Sequence, residues 1–200
     1  MSVSGCESIT LPPLAPEDYV CLACSVDYPS ISVPEAVETI RAVAQRARTG
    51  IDGVAPAALG RRPEPGVWSI AEYGCHLRDV YVTYTIRLYR ARTEECPQVE
   101  PMLNDLRARR FKYSERDVSA VLDEVHASAH GFCEEIGRME PDDWTRVVSR
   151  LPGEERTAMW LVRQAMHEGV HHLNDISQVK SAVKIARSHY SLPSVHSLTF

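Results

Sequence analysis

Apolar residues recur at three- and four-residue intervals in four separate stretches of the chain. The first carries Val37, Ile40, Ala44 and Ala47, which line one face of a 3.6-residue helix. With proline in its first turn and Ser32 or Val33 ahead of it, this stretch predicts a helix over 34–49. Gly50, Gly53, Pro56, Gly60, Pro63 and Pro65 then enforce a long connection. Ser69 with Glu72 three residues on is a capping-box pattern, and it opens a second helix whose inward row is Ile70, Tyr73, Leu77, Val80, Tyr84 and Leu88. That row fades near Thr93, and Pro97 and Pro101 break it. A short helical piece is expected over 102–110. The third long helix starts near Ser114 or Asp117, carries Val118, Val121, Leu122, Val125, Ala129, Phe132 and Ile136, and is closed by Gly137 and Pro141. A turn at Leu151-Pro152-Gly153-Glu154 leads into a fourth helix over about 156–185.

No stretch alternates convincingly with period two, so the pattern predicts an all-α fold, a four-helix bundle over 34–186. Its long connections argue against a minimal array of helical hairpins. A proline-rich, irregular arm (1–33) precedes the bundle, and a loose tail containing Pro193 (187–200) follows it.

The stripe of the fourth helix is interrupted in a telling way. It reads Leu161, Ala165, Glu168, His172, Ile176, Val179, so a carboxylate and an imidazole occupy two steps that should be apolar. They lie one helical turn apart on the inward face. An unpaired carboxylate in a core costs several kcal/mol, so either a metal ion or a buried ion-paired network must compensate. On the second helix His76 borders the apolar row, with Tyr73 three residues before it and Val80 four after. Two imidazoles and a carboxylate from facing helices form the ligand set of many catalytic zinc sites and also suit non-haem iron. His167 and His171 have the same spacing and are alternative ligands, but their face continues through Trp160, Gln164 and Gln178 and is more polar. His126 and His130 share their face with Ser119, Asp123 and Glu134, and read as solvated.

Composition narrows the function classes. With 200 residues, 44% hydrophobic and 24% charged, the chain is sized for one globular domain. A formal net charge of −5 argues against nucleic acid as partner. No apolar run spans a membrane and no signal peptide is visible at the N-terminus, which predicts a cytoplasmic protein with reduced thiols. Cys75, Cys96 and Cys133 stand singly and read as packing residues. Cys21-Leu22-Ala23-Cys24 in the arm offers two zinc ligands where a structural site needs four; Cys6 is a conceivable third. A knuckle completed by a second copy in a homodimer, a redox pair and two unremarkable thiols all remain open.

Trp68-Ser69-Ile70-Ala71-Glu72-Tyr73-Gly74-Cys75-His76-Leu77 resembles the signature of the DinB-like superfamily, in which Trp-Ser is followed at fixed spacing by His-Leu. His-Glu-x-x-His-His-Leu-x-Asp-Ile at 167–176 resembles that superfamily's fourth-helix motif. The resemblance extends over roughly 34–186. It implies a four-helix bundle holding a divalent metal, often zinc or nickel, through His76, Glu168 and His172. Glu168, where many members have His, is similar to the thiol-dependent isomerase type, whose members carry an additional C-terminal domain that this length does not hold. The implied chemistry is metal activation of a low-molecular-weight thiol such as mycothiol for attack on a small electrophile, as S-transfer or isomerisation. Metal-dependent hydrolysis and a non-catalytic bundle are the alternatives. Asp79 and Asp175, each three residues past a ligand, are then expected to orient the imidazoles, and Arg163 or Arg78 to clamp a substrate carboxylate.

Overall fold

Ser69 and Glu72 close the capping box that the sequence predicts: the Ser69 backbone N–H donates to Glu72 Oε2 at 2.8 Å and the Glu72 N–H to Ser69 Oγ at 3.3 Å. In this computed structural model, which describes residues 11–190 and the side chains of 11–183, that box starts the helix carrying His76. Cys6 and the tail beyond residue 190 lie outside the described residues. Glu72 is also gripped by Arg62, whose Nε and Nη2 donate to its carboxylate at 2.9 and 2.6 Å. Burial would raise the Glu72 carboxyl, but Arg62 and Ser69 outweigh it and hold it below its ordinary range.

The described residues form six α-helices: α1 (Val33–Ile51), α2 (Pro56–Leu59), α3 (Ile70–Thr93), α4 (Asn104–Arg110), α5 (Val118–Ile136) and α6 (Ala158–Tyr190). Ser32 caps α1 and Asp117 caps α5 through side-chain oxygens. The four long helices make the bundle. Both α1 and α3 pack against α5 and α6, so the first two long helices face each other across the bundle diagonal. Successive helices on a diagonal cannot be joined by a tight turn, which accounts for the long connection holding α2. The core between them is built from Ile40, Val43, Leu77, Val80, Tyr81, Leu88, Phe132, Leu161 and Ile176, all fully buried.

One element departs from the all-helical pattern. Val147–Ser149 (β1) and Glu155–Thr157 (β2) pair antiparallel, Val148 opposite Arg156. Three-residue strands are too short to show alternation, and only Val148 turns fully inward. The hairpin's turn runs through Gly153 at φ +80°, a left-handed conformation that glycine adopts without cost. The hairpin clasps the arm: Arg150 donates to the Pro12 carbonyl at 2.6 Å, and Arg156 to those of Ala15 and Leu14 at 2.7 and 2.9 Å. The described part of the arm is therefore docked. It folds into a turn at Cys21–Ser25, closed by a bridge between Val20 and Asp27, and ends in a 3-10 turn at Tyr28–Ser30. Among the described residues no helix is long and apolar enough to cross a membrane.

Gly169 lets α6 approach the bundle closely beside Glu168. A Cβ there would stand 2.5 Å from Tyr81 Oη and 2.8 Å from Val43 Cγ2. Alanine normally gains up to about 1 kcal/mol over glycine within a helix, while overpacking a filled core costs roughly 1–3 kcal/mol. Tyr81 and Val43 are both fully buried, so overpacking prevails. Gly169→Ala is expected to lower stability by about 1–2 kcal/mol, measured by urea denaturation; an unchanged midpoint would show that α6 can move outward freely.

Candidate metal centre

The inward faces of α3 and α6 bring His76, Glu168 and His172 to one point, with one ligand atom from each within 4.8 Å of the others. His76 Nε2 lies 3.1 Å, and His172 Nε2 3.0 Å, from the same oxygen, Glu168 Oε2. The two imidazoles meet edge to face with centroids 4.8 Å apart. Burial alone would raise the Glu168 carboxyl. Hydrogen bonds from His172 and His76, with their charge, hold it well below the carboxylate range. Burial pulls the His172 imidazole down, but Asp175 and Glu168 overcome it and lift it to about 9.

The donor set fits a divalent cation. Three atoms able to ligate a metal converge, and the groups behind them fix their orientation. Asp175 Oδ2 lies 2.8 Å from His172 Nδ1, leaving Nε2 for the centre. Gln164 Nε2 donates to Glu168 Oε1 at 2.6 Å, leaving Oε2 inward. Trp68 packs edge-on against His76, and the Tyr73 ring packs at a tilt against His172. His76 and Glu168 reach the floor of a cavity of about 620 Å³, walled by Leu11, Pro12, Pro13, Leu14 and Tyr19 of the arm and by Tyr84, Met102 and Leu103.

The other candidate residues fall in different places. The Asp79 carboxylate does not turn to His76. It accepts from Tyr113 Oη, from Arg107 Nε at 2.9 Å, and from Arg78 Nε and Nη2 at 3.0 and 2.9 Å. Asp175 stands at the same spacing from His172 and turns back to it, so the partners decide: Arg107 of α4 and Tyr113 draw Asp79 away from the centre. Arg78 is spent on Asp79 and Glu124, and Arg163 donates to the Ile31 carbonyl; neither lines the cavity. Three other cations do: Arg109, which is exposed, Arg150, which is paired with Glu154, and Arg87, which is buried on α3. Arg87 is the one set apart by its partners. It stacks 5.0 Å over the Tyr84 ring and donates to the Glu100 carbonyl, and among the described residues it makes no ion pair. A trace of it lies in the sequence, since Arg87 occupies an inward position between Tyr84 and Ala91.

His167 and His171 do not join this centre. They face the arm, where Cys21 and Cys24 meet them, and one ligand atom from each of the four lies within 4.8 Å of the rest. Burial would raise the Cys21 thiol, but the backbone N–H and thiol of Cys24, His167 and the Ala23 N–H together bring it down to about 6. Burial and the neighbouring Cys21 push Cys24 up to about 11. Tyr28 and Gln164 link the two groups of residues: Tyr28 Oη lies 2.9 Å from His167 Nδ1 and donates to Gln164 Oε1, whose amide in turn holds Glu168. Tyr28 and Gln164 carry no pattern in the sequence that announces this. His126 and His130 are exposed, and His130 lies 3.8 Å from Glu134.

A sequence profile of the DinB superfamily matches residues 34–176. A search of curated protein sequences finds no significant match. Among solved structures the fold is similar to YfiT from Bacillus subtilis, described as a probable metal-dependent hydrolase with an unusual four-helix bundle topology. The TM-score is 0.68 at 17% identity, over 78% of this chain and 91% of that one. It is also similar to a mutant of the mycothiol-dependent maleylpyruvate isomerase, with a TM-score of 0.59 at 16% identity, over 74% of this chain and 62% of that one. At such identities the likeness establishes the fold.

Proposed function

This chain belongs to the DinB superfamily, and on that premise we propose that it is a metal-dependent enzyme that transfers a low-molecular-weight thiol to a small anionic electrophile. His76, Glu168 and His172 would hold the divalent cation, with zinc favoured by two imidazoles and a carboxylate, and nickel or iron also accepted by such a set. The observation that carries the reading is the convergence of those three ligand atoms, with His76 and Glu168 opening into a cavity whose walls are part apolar and part polar. A cation there supplies Lewis acidity sufficient to deprotonate a coordinated thiol near neutral pH.

The chain's own residues do the remaining work. Asp175 and Gln164 fix the ligand orientations. Arg87 offers its free N–H groups to a carboxylate or similar anionic group of the substrate, which places the electrophilic carbon between Arg87 and the metal ligands. The arm's proline-rich wall keeps water from the reacting carbon. The thiol gives up its proton to solvent, and the thiolate sulfur forms a bond to that carbon. Either a leaving group departs with its electron pair, or the addition opens a C=C bond of the substrate, the adduct rotates about the resulting single bond, and expulsion of the thiolate restores the double bond in the isomer. A free thiol pool fits the reducing cytoplasm that the sequence predicts.

The Bacillus subtilis neighbour favours a second reading, hydrolysis, in which water takes the thiol's place. Turnover of metal-loaded protein on model aryl chlorides, epoxides and esters, with and without added thiol, separates the two. Thiol transfer predicts product only when thiol is present. Product formed equally without it favours hydrolysis, and a chain that takes up no metal under any loading condition overturns both. Arg87→Met is expected to raise KM for a carboxylated electrophile roughly 10- to 100-fold, the loss of one charged hydrogen-bonded contact. It should leave a neutral analogue unaffected, and an equal effect on both would remove Arg87 from substrate recognition.

A further inference from the structure

The geometry points to a second metal site in this chain, a tetrahedral zinc site formed by Cys21 and Cys24 of the arm with His167 and His171 of α6, distinct from the His76–Glu168–His172 centre. Four observations carry it. First, two thiols and two imidazoles close a full structural zinc set, and the donor atoms already lie within 4.8 Å of one another. Zinc bonds of about 2.0–2.3 Å put tetrahedral donors roughly 3.3–3.8 Å apart, and Cys21 Sγ is 3.6 Å from His171 Nδ1. The remaining adjustment is within the reach of side-chain rotation.

Second, the arm is folded as a metal knuckle. The Ser25 N–H donates to the Cys21 carbonyl and the Cys21 N–H to the Val26 carbonyl, both at 2.8 Å. Ser25 takes φ +59° to make the turn, a left-handed conformation uncommon outside glycine and Asn/Asp.

Third, His167 Nε2 is buried and has no hydrogen-bond partner. Its other nitrogen is engaged by Tyr28 Oη at 2.9 Å. An imidazole tethered at Nδ1 and bare at a buried Nε2 is an unpaid polar group unless an electron-pair acceptor sits there. Fourth, the second imidazole, His171, turns Nδ1 to Cys21, with its Nε2 within ion-pair range of Asp175 Oδ2 at 3.8 Å, too far for a hydrogen bond.

The site fastens Tyr19 and the arm's proline segment across the cavity mouth, so its role is structural; four protein ligands leave no position for substrate. Loading releases the thiol protons as zinc binds. The inference stands whether or not the His76 centre is catalytic.

Cobalt(II) tests it, because only a site with sulfur ligands gives an intense near-ultraviolet thiolate-to-cobalt band. The reduced full-length protein, stripped and reloaded with cobalt, is expected to bind two equivalents and show that band. Cys21→Ser/Cys24→Ser should lose the band and one equivalent. His76→Ala/Glu168→Ala should lose the other equivalent and keep the band. Should the serine variant fail to fold, His171→Asn serves in its place, with the cobalt band weakened and shifted and both thiols intact. A reduced wild-type protein with no thiolate band, or a band that survives the double serine variant (Cys96 is exposed and could bind adventitiously), overturns the site, as does a chain that binds only one equivalent both with and without Cys21 and Cys24.

Discussion

Glu168→Ala is expected to abolish metal binding at the His76–Glu168–His172 centre and, with it, turnover. Glu168 Oε2 is the one atom that both imidazole Nε2 atoms approach, at 3.1 and 3.0 Å. Alanine leaves two neutral donors on facing helices with no anion between them to offset the charge of a divalent cation. Changing a residue that merely supports a metal ligand costs roughly 10–100-fold in affinity or activity, so removing a ligand is expected to cost more than about 100-fold in each. Asp175→Asn supplies the comparison, since it keeps a hydrogen-bonding group opposite His172 Nδ1 and removes only the charge; its loss should fall within the roughly 10–100-fold range. Elemental analysis reads the occupancy and a thiol-dependent assay the turnover. Folding is checked by circular dichroism, because the variant also deletes a buried side chain. Undiminished metal at this centre in a folded Glu168→Ala protein would remove Glu168 from the ligand set and return the trio to the status of a buried ion-paired network.

The long helices and this convergence are legible in the chain because both are set by local periodicity. A helix that must bury one face cannot carry Glu168 and His172 in its apolar stripe without a reason, and the capping box at Ser69 fixes the phase of the helix that carries His76. What spacing alone does not decide is the last rotation of a side chain. Asp79 and Asp175 both stand three residues after a histidine, yet Asp175 turns back to His172 while Asp79 is drawn off by Arg107 and Tyr113. Those partners come from α4 and the segment after it, whose placement no pattern on α3 reveals. The Cys21 and His171 pairing spans 150 positions, and no local signal crosses such a distance. His167 and His171 read as an alternative to Glu168 and His172 in sequence because adjacent registers of one helix have the same spacing; in three dimensions they face different partners. The β1–β2 hairpin escapes for the opposite reason, its strands being too short to show a period at all.

Asp79 marks where the fold, not the chemistry, has most to lose. Asp79 is 6% exposed and its carboxylate is held by Arg78, Arg107 and Tyr113, tying α3 to α4 and to the 3-10 turn that precedes α5. Burial would raise this carboxyl, but Tyr113, Arg107 and Arg78 outweigh it and hold it below the ordinary aspartate range. Breaking a buried ion pair by deleting one partner costs about 3–5 kcal/mol. The Arg107 side chain is 42% exposed and can turn to solvent, so Asp79→Ala is expected to destabilise by about 3 kcal/mol at pH 7, the lower end of that range. The pH dependence has a definite sign. A carboxyl whose folded pKa lies below its unfolded value of about 3.9 contributes fully above that value and loses its contribution as pH falls through the folded pKa. The stability gap between the wild-type protein and Asp79→Ala should therefore be widest above about pH 5 and narrow progressively below about pH 4. Glu72 is present in both proteins and its own acid titration cancels in the difference. Urea midpoints of the two proteins across this interval make the measurement. A gap of constant size from neutral pH down to acid would mean that the Asp79 charge contributes nothing and that alanine's deficit is only the volume it leaves empty.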